Sequence, residues 1–276
     1  MLQYYRTSPP ECLENLNILS KQKKIDYYKK IVSEVGKRKI KWKITKIWNE
    51  WEKIKNIYGE EISDIRTKLL IMTNNSCAFC GKRISNDTLE VEHFLPSSEF
   101  PFIAYCWENY LPSCSTCNSR FKTTFVPEVL KTKIIVESII VDKVNGKLID
   151  GICSDDQKFD YIYDRNLILG NITKEGRILD CTYDKVDEHL IFRPELHSYE
   201  VVRDSSIGTI TKGKLFRHSS VEERFRKISK IVRNVIKRGD DFSSLEDFIE
   251  LDGYDFYYIK YYEFWNNEKL AGRIDI

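Results

Sequence analysis

Cys77-Ala-Phe-Cys80, Leu89-Glu-Val-Glu-His-Phe-Leu-Pro96 and Trp107-Glu-Asn-Tyr-Leu-Pro-Ser-Cys-Ser-Thr-Cys-Asn118 lie close together in this chain, and their reading decides its fold. A Cys-x-x-Cys pair lets one tight turn aim both sulfurs at a single ion. The pairs Cys77/Cys80 and Cys114/Cys117 together supply the full tetrahedral thiolate set that zinc takes at ~2.3 Å. With sulfur in every position the site is closed, so it is structural and not catalytic. A redox dithiol would need only one of the pairs. Gly81 follows the first pair, where such a turn calls for positive φ. Between the pairs, short strand-like pieces are joined by a proline-rich loop from Pro96 to Pro101. A short helix follows Pro112.

Outward from this stretch, the composition describes a globular chain. Of its 276 residues 42% are hydrophobic and 13% aromatic, enough for a packed core and too much for disorder. The net charge is only +2, but it is unevenly spread. Lys and Arg dominate from Lys21 to Glu60, while acids dominate from Asp240 onward. The first end could attract a phosphate backbone; the second would repel it. A lysine run is also what an ordinary solvated helix face looks like. The start of the sequence carries no secretion signal, and no run approaches the ~20 apolar residues of a membrane span. A soluble, cytoplasmic protein is expected. In a reducing compartment, paired cysteine spacing argues for metal and not for disulfides.

The fold class expected is α+β, a mainly helical protein around a small zinc-stabilised core. Residues 1–73 read as a basic helical region. Ile25, Tyr28, Ile31 and Val32 recur at helical spacing, as do Ile44, Ile47, Trp48, Trp51 and Ile54. Breaks are expected at Gly36 and Tyr58-Gly59, followed by a helix from Ile62 to Met72. Residues 74–126 form the core that carries the chemistry. Residues 127–276 read as mixed α/β and helical, with an acidic aromatic tail. Strands are expected at Lys133–Asp142, with a turn at Asn145-Gly146, and at Leu190-Ile-Phe, Tyr199-Glu-Val-Val and Gly208-Thr-Ile-Thr. Val221–Lys237 predicts an amphipathic helix, with Ser220 as N-cap and Glu223 completing a capping box. The tail aromatics predict core more than surface. His189, His197 and His218 read as ordinary polar or capping residues.

A carboxylate-His pair ending a strand, Trp-x-Asn on the next strand, and Cys-x-x-Cys-Asn opening a helix resemble the HNH (ββα-metal) endonuclease motif. The four-cysteine arrangement is similar to that of the endonuclease VII-type resolvases, over residues 77–122. The resemblance implies phosphodiester hydrolysis. His93 would be the general base that takes a proton from water, since imidazole titrates near working pH. Glu92, pointing to the other strand face, and Asn118 would ligate a catalytic Mg²⁺ or Mn²⁺ through oxygen. Asn109 would brace the hairpin and orient His93. Zinc would fix Asn118 relative to His93. Such motifs often carry Lys three residues after the Asn; here Phe121 stands there. Arg120 and Lys122 flank it, and either could contact the substrate phosphate. Glu92 stands where many members have Asp. Taken singly, His93, Glu92, Asn109 and Asn118 read as a structural histidine, a strand-surface charge, a turn cap and a helix-start residue.

Val91-Glu-His-Phe-Leu-Pro, Pro101, Trp107-Glu-Asn and Cys117-Asn are similar to the PtuB-like HNH proteins. Asp187-Glu-His-Leu-Ile-Phe192, Gly208-Thr-Ile and the Arg224 helix add to the likeness. Ser97 departs from it, where the family usually has Lys. This resemblance implies a nuclease of Septu and related retron-associated anti-phage defence, acting with a partner ATPase. DNA is the favoured substrate. The alternatives are an RNA nuclease, for example one that cuts tRNA, using the same site, and a non-catalytic zinc-ribbon module that binds nucleic acid. A ribbon has no need of Glu92, His93 and Asn118.

Overall fold

The computed structural model describes residues 1–8, 10, 53–55, 61–96, 107–123, 125–126 and 176–273. The lysine run up to Lys46, the loop beyond Pro96, and the run Lys133–Asp142 with its Asn145-Gly146 turn lie outside the described residues. What is described is a mixture of helices and short antiparallel hairpins, consistent with an α+β chain.

β1 (Lys53–Lys55) pairs antiparallel with β2 (Glu61–Ser63), with Ile54 opposite Ile62. The helical expectation therefore fails at both ends of the Tyr58-Gly59 break. Isoleucine is β-branched, and a pair of such residues in register suits a ladder better than a helix. Helix α1 (Asp64–Met72) follows at once and buries Ile65, Leu69 and Met72, one stripe at helical spacing. It ends at Asn74 and Asn75, both in the left-handed region that asparagine tolerates.

β3 (Leu89–His93) and β4 (Tyr110–Cys114) form the second hairpin, in register from Leu89 opposite Cys114 to His93 opposite Tyr110. The third hairpin is β5 (Leu190–Arg193) with β6 (Ser198–Val201). Gly208-Thr-Ile-Thr, read as a strand, lies in helix α2 (Ser206–Thr211). The local reason is a cap and a close approach. Ser205 Oγ accepts a hydrogen bond from the Gly208 amide at 3.0 Å. A Cβ at Gly208 would lie 2.3 Å from the carbonyl oxygen of His189, so the helix backbone packs directly on the turn before β5.

Helix α3 (Ser219–Arg238) buries Val221, Phe225, Ile228, Val232, Val235 and Ile236. Its N-cap is His218, ahead of the expected Ser220, and no side chain caps it; the Ser220/Glu223 capping box does not form. Helices α4 (Glu246–Asp252) and α5 (Asp255–Leu270) complete the described chain, and α5 packs along α3. Tyr254, Tyr257, Tyr258 and Tyr261 are buried, so much of the aromatic tail is core. Phe192 from β5 is its hub, with ring centroids 5.0 Å from Tyr257, 5.2 Å from Phe225 and 5.3 Å from Tyr199. Aromatic pairs in such edge-on and tilted arrangements add about 0.5–1.5 kcal/mol each beyond area burial. Several of the buried hydroxyls are partnered. Tyr199 bonds Tyr257 at 3.2 Å, Tyr261 bonds His197 at 2.9 Å, and Tyr258 donates to Asp252 at 2.8 Å.

The first residues do not stand apart with the basic region. The Tyr4 amide donates to the Cys181 carbonyl at 2.9 Å, and Gln3 bridges Cys181 and Val186. Arg6 donates to the carbonyls of Trp107 (2.6 Å) and Tyr110 (3.0 Å). The N-terminus thus ties the C-terminal region to the second hairpin. Among the described residues, no helix is long and apolar enough to cross a membrane.

Candidate metal centre and active site

The four paired cysteines converge. Their sulfurs all lie within 4.8 Å of one another, and Cys80 and Cys114 are 3.8 Å apart. A tetrahedron with ~2.3 Å metal–sulfur bonds has edges of about 3.8 Å, so the cluster could hold a zinc ion. The first knuckle is a turn closed by Gly81 N–H to Cys77 C=O at 2.9 Å, with Gly81 at φ +71° as the spacing requires. The Ala78 amide donates to Pro112 C=O at 2.9 Å, which docks this knuckle on β4. The second knuckle spans the end of β4 and the first turn of the next helix. Crowded sulfurs without an ion must share protons unequally. Hydrogen bonds from Cys117 and its neighbours hold Cys114 far below the ordinary thiol value, while the bond to Cys114 pushes Cys117 well above it. An ion that binds all four as thiolates removes this conflict. The buried Cys181 lies outside the cluster.

Asn109 is fully buried in the turn before β4. Its Oδ1 accepts from the Leu95 amide at 2.8 Å, its Nδ2 donates to the Leu95 carbonyl at 3.0 Å, and its own carbonyl accepts from the Phe94 amide at 2.7 Å. The residues directly after His93 are thereby clamped to β4. His93 is half-buried at the end of β3, its ring edge-on to Tyr110 at 5.1 Å. From the other side, Arg66 of α1 donates to the carbonyls of Asn86 and Leu89, each at 2.7 Å, and fixes the entry to β3.

Strand alternation puts Glu90 and Glu92 on one face of β3 and His93 on the other. Glu92 is buried and bonds the Lys122 ammonium in an ion pair; Lys122 also donates to the His93 carbonyl at 2.8 Å. Burial raises the Glu92 carboxyl above its ordinary value, opposed by Lys122, and burial lowers Lys122, opposed by Glu92. Asn118 Nδ2 donates to Glu90 Oε2. Lys122 therefore departs from the expectation of a phosphate contact: its side chain is out of solvent. Arg120 is exposed.

The helix carrying these residues explains the displaced lysine. Cys117–Lys122 is a π-helix, closed by Thr123 N–H to Asn118 C=O at 3.1 Å, a bond that spans five residues. A π-turn takes in one residue more than an α-turn. Lys122, four residues after Asn118, meets β3, and Phe121 packs elsewhere. Glu90, Arg66 and Arg6 were missed in the sequence. Period-two alternation would have placed Glu90 on the Glu92 face; nothing local marks the two arginines.

In comparisons with known proteins, the chain is similar to the Septu protein PtuB of Bacillus thuringiensis, 43% identical over 58 residues. That stretch is 20% of this chain and 23% of that protein, so the likeness spans under a quarter of the relative. No family model matches the chain, and no solved structure matches it.

Proposed function

We propose that the chain is a metal-dependent HNH endonuclease that hydrolyses DNA phosphodiesters, the nuclease of an anti-phage defence complex with a partner ATPase. One observation carries the nuclease reading. His93 is clamped by Asn109 on one face of a hairpin whose other face gathers Glu90, Glu92 and Asn118, and a four-sulfur cluster holds the helix that bears Asn118. The likeness to a Septu protein supports the defence role and the partner.

The donor set fits a hard divalent ion: two carboxylates and an amide, all oxygen ligands. The pocket already accepts a cation, the Lys122 ammonium beside Glu92. Mg²⁺ or Mn²⁺ held by Glu92, Asn118 and Glu90 would supply charge neutralisation at the phosphate. The protein's own groups do the rest. An imidazole nitrogen of His93 takes the proton of the attacking water. Asn109 holds the backbone after His93 so that the ring keeps its aim. Lys122 fixes both Glu92 and the His93 carbonyl, tying the two faces of the strand together.

The test is degradation of plasmid, single-stranded DNA and total RNA, with and without the ATPase. We expect DNA cleavage that needs divalent ion and disappears in His93→Ala. Unchanged activity in His93→Ala overturns the nuclease reading. A protein that cuts RNA and leaves every DNA intact overturns the choice of substrate.

A further inference from the structure

Phe121 stands where the HNH pattern calls for a lysine, and the chemistry above gives it no task. It is buried, and its ring lies 5.2 Å from that of His218. The π-helix Cys117–Lys122 packs here against a second π-helix, Lys212–Phe216, which anchors itself through buried Leu215 and Phe216. Lys214 Nζ sits 5.4 Å over the Phe125 ring, just past the first π-helix. A segment distant in sequence is thus fastened to the helix that carries Asn118.

That segment is basic. Lys212-Gly-Lys-Leu-Phe-Arg-His218 has no acid, and the first acids beyond it are Glu222 and Glu223 in α3. Lys212 is half-exposed; Lys214, Arg217 and His218 are exposed, as is Arg120 on the adjoining π-helix. Among the described residues, Arg120, Lys212 and Arg217 form no ion pair. Arg83, Arg193 and Lys260 are neutralised by Asp255, Glu200 and Glu263, whereas Lys227, Lys230 and Lys237 on α3 are exposed and, among the described residues, equally without an ion pair, so they serve as the matched comparison away from the catalytic helix. Unpaired cations grouped beside a phosphodiester-cleaving site suit a phosphate backbone, which they bind by releasing its counterions.

We propose that Arg120, Lys212, Lys214, Arg217 and His218 form a backbone-binding track for duplex DNA, continuous with the catalytic helix. Phe121 is the positioning residue that holds the track in place. The choice of DNA rests on the nuclease reading above; the track itself is tested by binding alone.

The experiment uses the full chain carrying His93→Ala, zinc-loaded, and a short labelled duplex, with anisotropy read across a salt series. Lys212→Glu/Lys214→Glu/Arg217→Glu is compared with Lys227→Glu/Lys230→Glu/Lys237→Glu, which changes the same net charge along α3. The track variant should weaken binding at least about tenfold and flatten the log–log salt slope by about 2–3, near 0.9 for each phosphate that is no longer neutralised. The α3 variant should change it far less. Phe121→Ala should flatten the slope in the same direction at unchanged zinc content, and Phe121→Leu, which keeps most of the buried volume, should restore it. Equal losses in the two charge variants overturn the track, as does an unchanged slope in the first. Tighter binding of an RNA duplex overturns the commitment to DNA. The two readings fail separately. Track-dependent binding by a wild-type protein that cuts nothing sinks the nuclease and keeps the track. Normal cleavage and binding in the track variant does the reverse.

Discussion

Replacing Lys122 by Met removes one ammonium from a place where water cannot substitute for it. The Lys122 and Glu92 side chains are 0% and 8% exposed. Met keeps most of the aliphatic stem, so packing is little changed. Breaking a buried pair from one side costs about 3–5 kcal/mol if the remaining charge persists. The His93 carbonyl is also deprived of its bond to Lys122 Nζ. Glu92 can limit the damage by taking a proton, and burial already raises its carboxyl above the ordinary 4.5 with Lys122 present. Without the cation that rise must grow. A folded-state pKa above the unfolded one means a contribution fully present below pH 4.5 and lost as pH rises through the folded value. The variant should therefore be destabilised by about 1–2 kcal/mol near pH 5, and by about 3–5 kcal/mol near pH 8. Its pH slope should reach at most ~1.4 kcal/mol per unit, the limit for one proton. Urea unfolding at several pH values, without added divalent ion, measures this. Lys122→Met/Glu92→Gln should regain most of the stability at pH ~8 and show a flat profile. A destabilisation under about 1 kcal/mol at pH ~8 would refute the reasoning, as would one independent of pH or a double variant no better than the single.

Other perturbations probe the remaining supports. Cys77→Ser should drop zinc well below the one ion per chain expected of wild type, by metal analysis, and expose the protein to proteolysis, because site and fold form together. Asn109→Ala leaves the Leu95 amide and carbonyl without their side-chain partners; it should cost about 1–3 kcal/mol in thermal unfolding and lower the proposed DNA cleavage while zinc content stays. Gly208→Ala forces a methyl against the His189 carbonyl and should destabilise by about 1–3 kcal/mol, read as a lower Tm, with no direct effect on the zinc site.

The four-cysteine cluster was legible because its signal is local. Two fixed spacings determine which sulfurs can share an ion, whatever lies between them. The hairpin around His93 was legible for a related reason: a strand ending, a brace and a helix start each leave a residue-type mark. The α3 helix and the buried tyrosines followed from periodicity and apolar bulk. What was not legible depends on partners far away in sequence. Gly208-Thr-Ile-Thr has strand-like composition, and it takes the Ser205 cap together with the His189 backbone beneath the glycine to set it in a helix. Lys53–Lys55 continued a helical pattern until its partner strand, beyond the Tyr58-Gly59 break, was known. The Lys122 partner of Glu92 was not legible either, because it comes from a helix 30 residues away and nothing local marks the pair.

Lys122 and Phe121 share one cause. In an α-helix, the residues three and four after Asn118 would lie together on its face, and a lysine three along would suffice. The π-turn adds a residue to the ring, and its two consequences point in opposite directions. Lys122 swings onto β3, where it binds Glu92 and the His93 carbonyl, so the site keeps a lysine despite the shifted position. Phe121 is freed to pack on His218, which brings Lys212–His218 to the site's edge. A departure from the motif that reads in sequence as a missing cation is in space a retained one with a second cationic segment attached. Restoring α-helical spacing by deleting Phe121 should therefore spare the bonds of the lysine and release the basic segment. Zinc content should stay, and salt-dependent DNA binding should fall; a deletion that leaves that binding intact would separate the π-turn from the track.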